Sequence, residues 1–380
     1  MQKTILVAGQ TNLAVSTGGA ITVFRQFIQM LADNGYRVIA TWNSPEKKNP
    51  DWPIPHVVFE NTYYKYPGIT EYRETFNRLV KDSSPDLIVF FFPAEYLGAH
   101  LKRAFRHIPR ILMFHSRPDI YFAVYPGLKR RLRKYYLHTH AQILLESFRP
   151  LLPWYIRRGP VHIIPNGVVV PEEHVHYTPE KKKIVFFSRL DSLKGADLAI
   201  DAMAVVARKH PDWQLDMYGD IDPAAYREKL QGQIDRQGLN KQVFLRGLSP
   251  KSATETLIGY DFCLFPSRFE GFSIGLAESM AAGLACIGLN NASGVNELIL
   301  DGDNGLLVDD NATDLANGIL WLVENPAERK RMGENARRHM RQFSPDSVQS
   351  QWLSLIASIL NPRPCYKLKP IKELIKLMKP

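Results

Sequence analysis

The 380-residue chain contains only three cysteines, Cys263, Cys286 and Cys365. They lie far apart and form neither a CxxC pair nor a Cys/His spacing typical of a structural zinc site. A disulfide-stapled scaffold is therefore excluded, and Cys263 and Cys286, each inside an apolar strand-like run, are predicted to be small core residues.

Long hydrophobic runs are also missing. No stretch approaches the roughly 18 apolar residues that a membrane-spanning helix needs. The N-terminal segment, Met-Gln-Lys-Thr-Ile-Leu-Val-Ala-Gly, is too short and too weakly charged for a signal peptide and reads as a first core strand. We therefore expect a cytoplasmic protein, with peripheral attachment to the inner face of the cytoplasmic membrane as a further hypothesis.

Positive charge is in excess and clustered. The net charge is +10, and one basic block runs from Lys129 to Lys134. A second cluster lies in the tail 363–380, which carries six basic residues and one acid, Glu373, with apolar residues at helical spacing. Such clusters favour an anionic membrane surface as partner. The alternative is that the block is the solvated face of a helix and the second cluster a frayed terminus, as is true of most charge runs. Interleaved aromatic platforms are absent, so nucleic acid is not expected as a partner.

Strands and helices alternate along the whole chain, and the pattern restarts after Pro165-Asn166-Gly167. This alternation predicts two α/β halves, each a doubly wound parallel sheet. The predicted units are an N-terminal Rossmann-like acceptor domain 1–167, a C-terminal Rossmann-like donor domain 168–342, a helix within 343–362 that packs back on the first domain, and a basic amphipathic tail 363–380. The predicted strands are 4–8, 36–42, 87–92, 110–115 and 141–146 in the first half, and 184–188, 214–218, 243–246, 262–266, 285–289 and 305–308 in the second.

Ligands of open α/β sheets bind at the carboxyl ends of the strands, so the active site is expected in the cleft between the two sheets. One loop at such an end leads into a helix and reads Glu270-Gly-Phe-Ser-Ile-Gly-Leu-Ala-Glu278. Its glycines allow close backbone approach, the helix start offers unpaired N–H groups, and a carboxylate can accept two neighbouring sugar hydroxyls. The alternative is structural: Glu270 caps the helix and Glu278 forms a surface ion pair.

A second loop places Arg189 and Lys194, followed by Gly195, after the first strand of the second half. Two cations beside a glycine at a strand end suit a pyrophosphate, because arginine offers a planar fork and lysine a point charge. The alternative interpretation is that Arg189 and Lys194 are exposed surface cations without a ligand.

Together these loops resemble a known family. Arg189-x4-Lys194-Gly195 followed by Glu270-x7-Glu278, with Pro165-Asn166-Gly167-Val168 between the halves, is similar to the signature of the GT-B glycosyltransferases of family 4, the group 1 transferases. The resemblance implies two Rossmann-like domains facing a cleft and a retaining, metal-independent transfer without a cofactor. It implies a nucleotide-sugar donor, by default a UDP-sugar, and a saccharide or lipid-linked acceptor of bacterial envelope or lipopolysaccharide synthesis.

The resemblance also implies roles for individual residues. Arg189 and Lys194 would hold the donor diphosphate and stabilise the leaving group, Glu270 would contact the donor sugar, and Glu278 would bind the ribose. The remaining expected contacts are the first-domain glycine loop Gly18 and Gly19, the sugar-side His115, the nucleoside-framing Gly219, Arg246 and Gly247, and the loop Gly271, Phe272, Ser273 and Ile274. Many relatives have a further glycine soon after the one matched by Gly219, where Ile221-Asp222-Pro223 stands here, so the phosphate-side details of that loop are open.

Other functions remain open from the sequence. A phosphorylase or sugar-diphosphate hydrolase could use the same scaffold, and so could a non-catalytic nucleotide- or sugar-binding protein. A dinucleotide-dependent oxidoreductase is disfavoured, because the first strand is followed by Gly9-Gln10-Thr11-Asn12 rather than GxGxxG.

Overall fold

A computed structural model describes residues 2–9, 19–42, 54–61, 69–93, 101–135, 139–176, 180–221 and 224–361. Gly18, Cys365 and the tail 363–380 lie outside the described residues. None of the described helices is long and apolar enough to cross a bilayer.

The first half forms a seven-stranded parallel sheet in the order β3-β2-β1-β4-β5-β6-β7. The central strands are mostly apolar because helices cover both sides of the sheet; β1 and β5 are buried at every position. The strands are β1 Thr4–Ala8, β2 Arg37–Trp42, β3 Val57–Asn61, β4 Leu87–Phe90, β5 Arg110–Phe114, β6 Thr139–Ile143 and β7 Val161–Ile163.

The second half forms a six-stranded parallel sheet in the order β10-β9-β8-β11-β12-β13. Cys263 and Cys286 face each other in the β11–β12 register and are fully buried, which confirms their predicted core role. The strands are β8 Lys183–Phe187, β9 Gln214–Tyr218, β10 Val243–Gly247, β11 Phe262–Phe265, β12 Ala285–Leu289 and β13 Gly305–Val308.

Helices connect the strands and cover both faces of each sheet. Several begin at a residue whose side chain accepts a first-turn amide, such as Asn311 and Ser344. The described α-helices are α1 Gly19–Asp33, α2 Ile69–Ser83, α3 Pro118–Val124, α4 Pro126–Tyr135, α5 Trp154–Arg157, α6 Ala196–Lys209, α7 Ala224–Arg236, α8 Ala253–Leu257, α9 Ile274–Ala281, α10 Ala312–Glu324, α11 Pro326–Met340 and α12 Pro345–Leu360.

The helix α12 packs on the first sheet although it follows the second in sequence. Its buried residues share a core cluster with β1 and α1, and the rings of Phe27 and Trp352 meet edge to face with centroids 4.9 Å apart. The chain crosses back beside the interdomain segment, where the amide of Val168 donates to the carbonyl of Phe343 at 2.8 Å. The helix therefore ties the end of the second half to the first domain.

Three details differ from the sequence-based expectation. The edge strands β3 and β7 are present but were not predicted, and β6 begins two residues before the predicted start at Ala141. All three carry polar residues, including His140, Glu60 and His162, that interrupt the apolar runs used to recognise strands. Tertiary pairing with the neighbouring strand decides their conformation.

Candidate active site

The strand order of the second sheet reverses between β8 and β11. A crevice opens at the carboxyl ends of two strands where their connections leave in opposite directions. The loops after β8 and β11 carry the predicted Arg189, Lys194 and Glu270, and the amide of Arg268 in the second loop donates to the carbonyl of Leu193 in the first at 2.8 Å. The structure therefore brings both predicted loops together at the reversal point.

Lys194 and Glu270 form an ion pair at the bottom of these loops. The distance from Lys194 Nζ to Glu270 Oε1 is 2.7 Å, and the side chains are only 14% and 8% exposed. Gly294 packs behind Glu270 with φ +83°, where a Cβ would lie 2.5 Å from the carbonyl oxygen of Gly271. The pair is thus held in a fixed position, and burial strengthens its mutual attraction.

Arg189 is placed differently from Lys194. Its side chain is 70% exposed and its guanidinium lies 3.3 Å from the carboxylate of Asp191. An exposed ion pair of this kind is weak. Arg189 can therefore turn to an anionic ligand at the mouth of the crevice, while Lys194 is fixed at its base.

The helix α9 begins directly after the Glu270 loop. Ser273 caps it by accepting the amide of Leu276 at 3.4 Å, so the interpretation that Glu270 is the cap is wrong. Among the described residues the amides of Ile274 and Gly275 have no acceptor. Two N–H groups at a helix N-terminus provide a partial positive charge for a phosphate.

The side chain of Phe272 points away from the crevice. It is buried against Phe343, with ring centroids 5.4 Å apart. A ligand contact at Phe272 would therefore come from its backbone.

Glu278 lies one turn further along α9 and is half-buried. Burial raises the pKa of its carboxyl group to about 7. Within the described part of the chain it has no ion-pair partner, so the alternative of a surface ion pair is wrong. A half-buried carboxyl without a partner is available to accept or donate hydrogen bonds to ligand hydroxyls.

The loops after β9 and β10 close one side of the crevice. Gly219 has φ +151°, and a Cβ there would lie 1.9 Å from the carbonyl oxygen of Ser188. Its amide donates to the carbonyl of Gly247 at 2.9 Å. The side chain of Arg246 is engaged elsewhere, by the buried Asp216 at 2.6 Å and by stacking on Phe244, which leaves backbone groups for a nucleoside.

The first domain touches the same loops from the opposite side. A Cβ on Gly271 would lie 2.5 Å from the backbone oxygen of His115, and one on Gly19 would lie 3.2 Å from the side chain of Ile274. The guanidinium of Arg117 lies 5.7 Å above the ring of Phe269. Gly19 and His115 are therefore brought to the predicted loops of the second domain.

His115 follows β5 and is half-buried between the domains, with its Nε2 atom shielded from solvent. Its ring stacks on Phe91 with centroids 4.1 Å apart, and its Nε2 atom has no hydrogen-bond partner among the described residues. Burial lowers the pKa of His115 to about 3, against the smaller opposing effect of a hydrogen bond with the backbone of Phe91. The imidazole is thus neutral near pH 7 and retains an unused hydrogen-bonding nitrogen.

Two residues at the domain contact were not predicted. The amide and hydroxyl of Ser147 in the first domain both donate to the carboxylate of Glu297 in the second. Gly294, which supports the Glu270 loop, was also missed. A single sequence gives no signal for Ser147, whereas glycine in Ser293-Gly294-Val295 marks a tight turn.

Comparison with known proteins supports the same family over both halves. The family model for group 1 glycosyl transferases matches residues 172–339, and the model for glycosyltransferase family 4 matches residues 17–170. An uncharacterized glycosyltransferase of Methanocaldococcus jannaschii is 25% identical over 338 residues, which cover 86% of this chain and 91% of the relative.

Other relatives match over shorter spans. A Staphylococcus aureus poly(ribitol-phosphate) alpha-N-acetylglucosaminyltransferase is 26% identical over 200 residues, or 52% of this chain and 40% of the relative. The chain spans less than half the length of several curated relatives that it matches.

A solved structure has the same fold. The Anabaena protein HepE, solved in complex with UDP and glucose, superposes with a TM-score of 0.74 at 18% identity and covers 94% of this chain and all of that one. Together with the two parallel sheets, this likeness confirms the GT-B fold. The family models, the full-length relative and the arrangement of the two loops lead to one conclusion: the chain belongs to the group 1 glycosyltransferases of family 4.

Proposed function

We propose that the protein transfers a sugar, with retention of anomeric configuration, from a UDP-sugar to a saccharide or lipid-linked acceptor in the synthesis of a cell-envelope polysaccharide or lipopolysaccharide. The observation that carries this proposal is the buried Lys194–Glu270 pair at the reversal point of the second sheet, opposite Gly19 and His115 of the first domain. The complex of HepE with UDP and glucose, which shares the fold, supports UDP and a hexose as ligand classes.

The donor diphosphate would lie between the two loops. Breaking the bond from sugar to diphosphate leaves positive charge on the sugar and negative charge on the departing phosphate. Arg189 and Lys194 on one loop, and the amides of Ile274 and Gly275 after the other, would meet this negative charge. Preorganised positive groups of this kind are often the largest contribution to catalysis.

Glu270 would act through its position beside Lys194. The ion pair fixes the ammonium group, and the second carboxylate oxygen can accept a hydroxyl of the donor sugar. Glu278, on the helix α9 that follows the Glu270 loop, would bind the two ribose hydroxyls. The two acids then hold different parts of one elongated donor.

His115 would contact the donor sugar through its unused Nε2 atom. Since its pKa of about 3 keeps the ring neutral, we assign it hydrogen bonding rather than proton transfer. The departing phosphate would itself accept the proton of the attacking acceptor hydroxyl. This assignment needs neither a metal ion nor a protein base.

The domain contacts would protect the transfer from water. Gly271 leaves no room for a Cβ against the backbone of His115, and Gly19 packs tightly against the side chain of Ile274. Exclusion of water by domain closure favours an acceptor hydroxyl over hydrolysis.

A membrane contact is proposed for the basic helix α4. Leu128 and Leu132 are buried, whereas Lys129, Arg130 and Arg133 are exposed, and Val124 just before the helix is 61% exposed. Basic residues beside an exposed apolar side chain suit an anionic lipid surface. Cosedimentation with anionic and neutral vesicles tests this: equal recovery with both would contradict it.

A panel of nucleotide sugars read by thermal shift tests the transferase proposal. Binding to the native state alone raises the melting temperature by mass action, so UDP and one or more UDP-sugars should raise it, and the double variant Arg189→Ala/Lys194→Met should abolish the rise. A wild-type protein that responds to no nucleotide sugar, or a double variant that responds fully, would contradict the site. Sugar transfer by the wild type then separates an enzyme from a binding protein.

A further inference from the structure

A cationic groove lies on the outer face of the first domain, away from the crevice. It runs between α2 and the segment 101–106, and its volume is about 930 Å³. The amide of Lys102 donates to the side chain of Asn77 on α2 at 2.7 Å, which fixes the segment to the helix. The groove is therefore part of the folded domain.

Positive side chains dominate the lining. Five cations contribute, against the two acids Glu74 and Asp82: Arg73, Arg78, Lys81, Lys102 and Arg106. Arg78, Lys81 and Lys102 are exposed and form no ion pair with any residue in the described ranges. A concave surface lined by one sign of charge focuses its potential on an oppositely charged ligand.

The groove has a direction relative to the active site. Because α2 connects the parallel strands β3 and β4, it runs antiparallel to them, and its first turn lies at the edge of the sheet that faces the crevice. Arg73 is near this edge, and Lys81 lies eight residues further on, roughly 12 Å along the helix. The groove, lined by residues from Arg73 to Asp82 of α2, thus extends along the helix from near this edge toward the opposite edge of the sheet.

The floor of the groove is partly apolar. Leu101 is buried and Phe105 is half-buried, and Phe105 is the single aromatic side chain among the described residues that line it. A ring of this kind can pack against the apolar face of a sugar or polyol. One aromatic side chain does not make the row of stacking platforms that single-stranded nucleic acid uses, and a flat bilayer surface cannot enter a groove.

We propose that this groove binds an anionic acceptor chain, a glycan or polyol polymer with phosphate or carboxylate groups along its length. The bound chain would extend from the groove toward the crevice, where its end receives the sugar. The inference rests on the proposed transferase function and narrows its acceptor to a charged polymer. The exposed cations contribute affinity and orientation without touching the reacting atoms.

Binding of defined polymers to the full chain tests the proposal. The probes are fluorescently labelled poly(glycerol phosphate), polygalacturonate and neutral dextran, with single-stranded RNA and phosphatidylglycerol vesicles as competing classes. The groove variant is Arg78→Glu/Lys81→Glu/Lys102→Glu. The matched control, Arg208→Glu/Lys209→Glu/Lys251→Glu, reverses the same residue types at exposed positions of the second domain.

The wild type should bind at least one of the two charged polymers, with affinity that falls steeply with salt, and should not bind dextran. The groove variant should lose at least about tenfold in affinity, whereas the control loses less than about twofold. Equal loss in both variants, equal binding of dextran, or groove-dependent binding of RNA or vesicles alone would overturn the proposal.

The UDP-induced thermal shift, measured on the same samples, separates this inference from the transferase proposal. A groove variant that keeps the wild-type shift is folded and has an intact donor site. Groove-dependent polymer binding by a protein without any UDP shift would contradict the transferase function and leave polymer binding in place.

Discussion

Lys194 and Glu270 are 76 residues apart in sequence, yet Nζ of one lies 2.7 Å from Oε1 of the other. The contact joins the loops after β8 and β11, the two strands between which the sheet order reverses. The contact holds the ammonium group of Lys194 at the base of the crevice. The stability and the chemistry of the site therefore depend on the same pair.

The first prediction concerns the cost of breaking this pair. Lys194→Met leaves the carboxylate of Glu270 buried without a partner and should lower the free energy of unfolding by about 3 kcal/mol. The double variant Lys194→Met/Glu270→Gln, which removes both charges, should recover most of that loss. Urea denaturation measures both.

The exposed pair of Lys182 and Asp212 is the control for this experiment. Lys182→Met should cause no measurable change, because water screens an exposed ion pair. A Lys194→Met variant as stable as wild type would show that the pair is not held as described.

The second prediction concerns Glu278 and pH. Because burial raises its pKa to about 7, the native state keeps a proton that the unfolded chain loses near pH 4 to 5. The stability contributed by the protonated form is present at low pH and is lost as pH rises through about 7.

Glu278→Gln cannot lose this proton, so its stability relative to wild type should rise between pH 5 and pH 8 by up to about 3 kcal/mol. Denaturation at the two pH values checks the difference, with the exposed Glu228→Gln as control. If the difference in free energy of unfolding between wild type and Glu278→Gln were the same at pH 5 and pH 8, the raised pKa would be contradicted.

The third prediction concerns Arg189. Its side chain is 70% exposed, so Arg189→Ala should leave the melting temperature of the free protein unchanged and weaken UDP binding about tenfold. Arg189→Lys, which keeps the charge without the planar fork, should bind UDP with an affinity between those of the wild type and Arg189→Ala. Calorimetric titration with UDP measures the affinities, and Arg208→Ala, an exposed arginine of α6, should bind as wild type does. Equal affinity in Arg189→Ala would remove this residue from the donor site.

The fourth prediction separates domain contact from donor binding. A methyl group at Gly271 would meet the backbone of His115 in the other domain, whereas one at Gly275 would meet the carbonyl of Phe187 in the same domain. Gly271→Ala should therefore keep UDP affinity and stability while the transfer rate falls about tenfold or more. Gly275→Ala should be less stable and bind UDP more weakly. If Gly271→Ala and Gly275→Ala changed UDP affinity, stability and transfer rate in the same way, the domain contact would have no separate function.

Much of this arrangement could be predicted from the sequence. The strict alternation of strands and helices predicted both sheets, and glycines next to charged residues at strand ends predicted the crevice loops. The direct contact of Lys194 with Glu270 could not be derived, because strand order is set by helix crossovers and not by local pattern. For the same reason the sequence does not predict the contact between Ser147 and Glu297, which forms only when the two domains pack together.

The protonation states of two candidate residues depend on burial, which the sequence does not reveal. His115 and Glu278 were both candidates by position, but only their surroundings show that one stays neutral near pH 7 and that the other titrates there. The cationic groove was not predicted at all, because Arg78 and Lys102 come from separate elements that tertiary packing places side by side. The sequence drew attention instead to the continuous block from Lys129 to Lys134.

Proton NMR of a reaction with a panel of UDP-sugars tests the central claim most directly. In the presence of a saccharide acceptor, the wild type should consume one UDP-sugar and form a product whose anomeric signal keeps the configuration of the donor. The double variant Arg189→Ala/Lys194→Met should leave that donor unchanged. Release of free sugar without transfer, or a product of inverted configuration, would contradict the account.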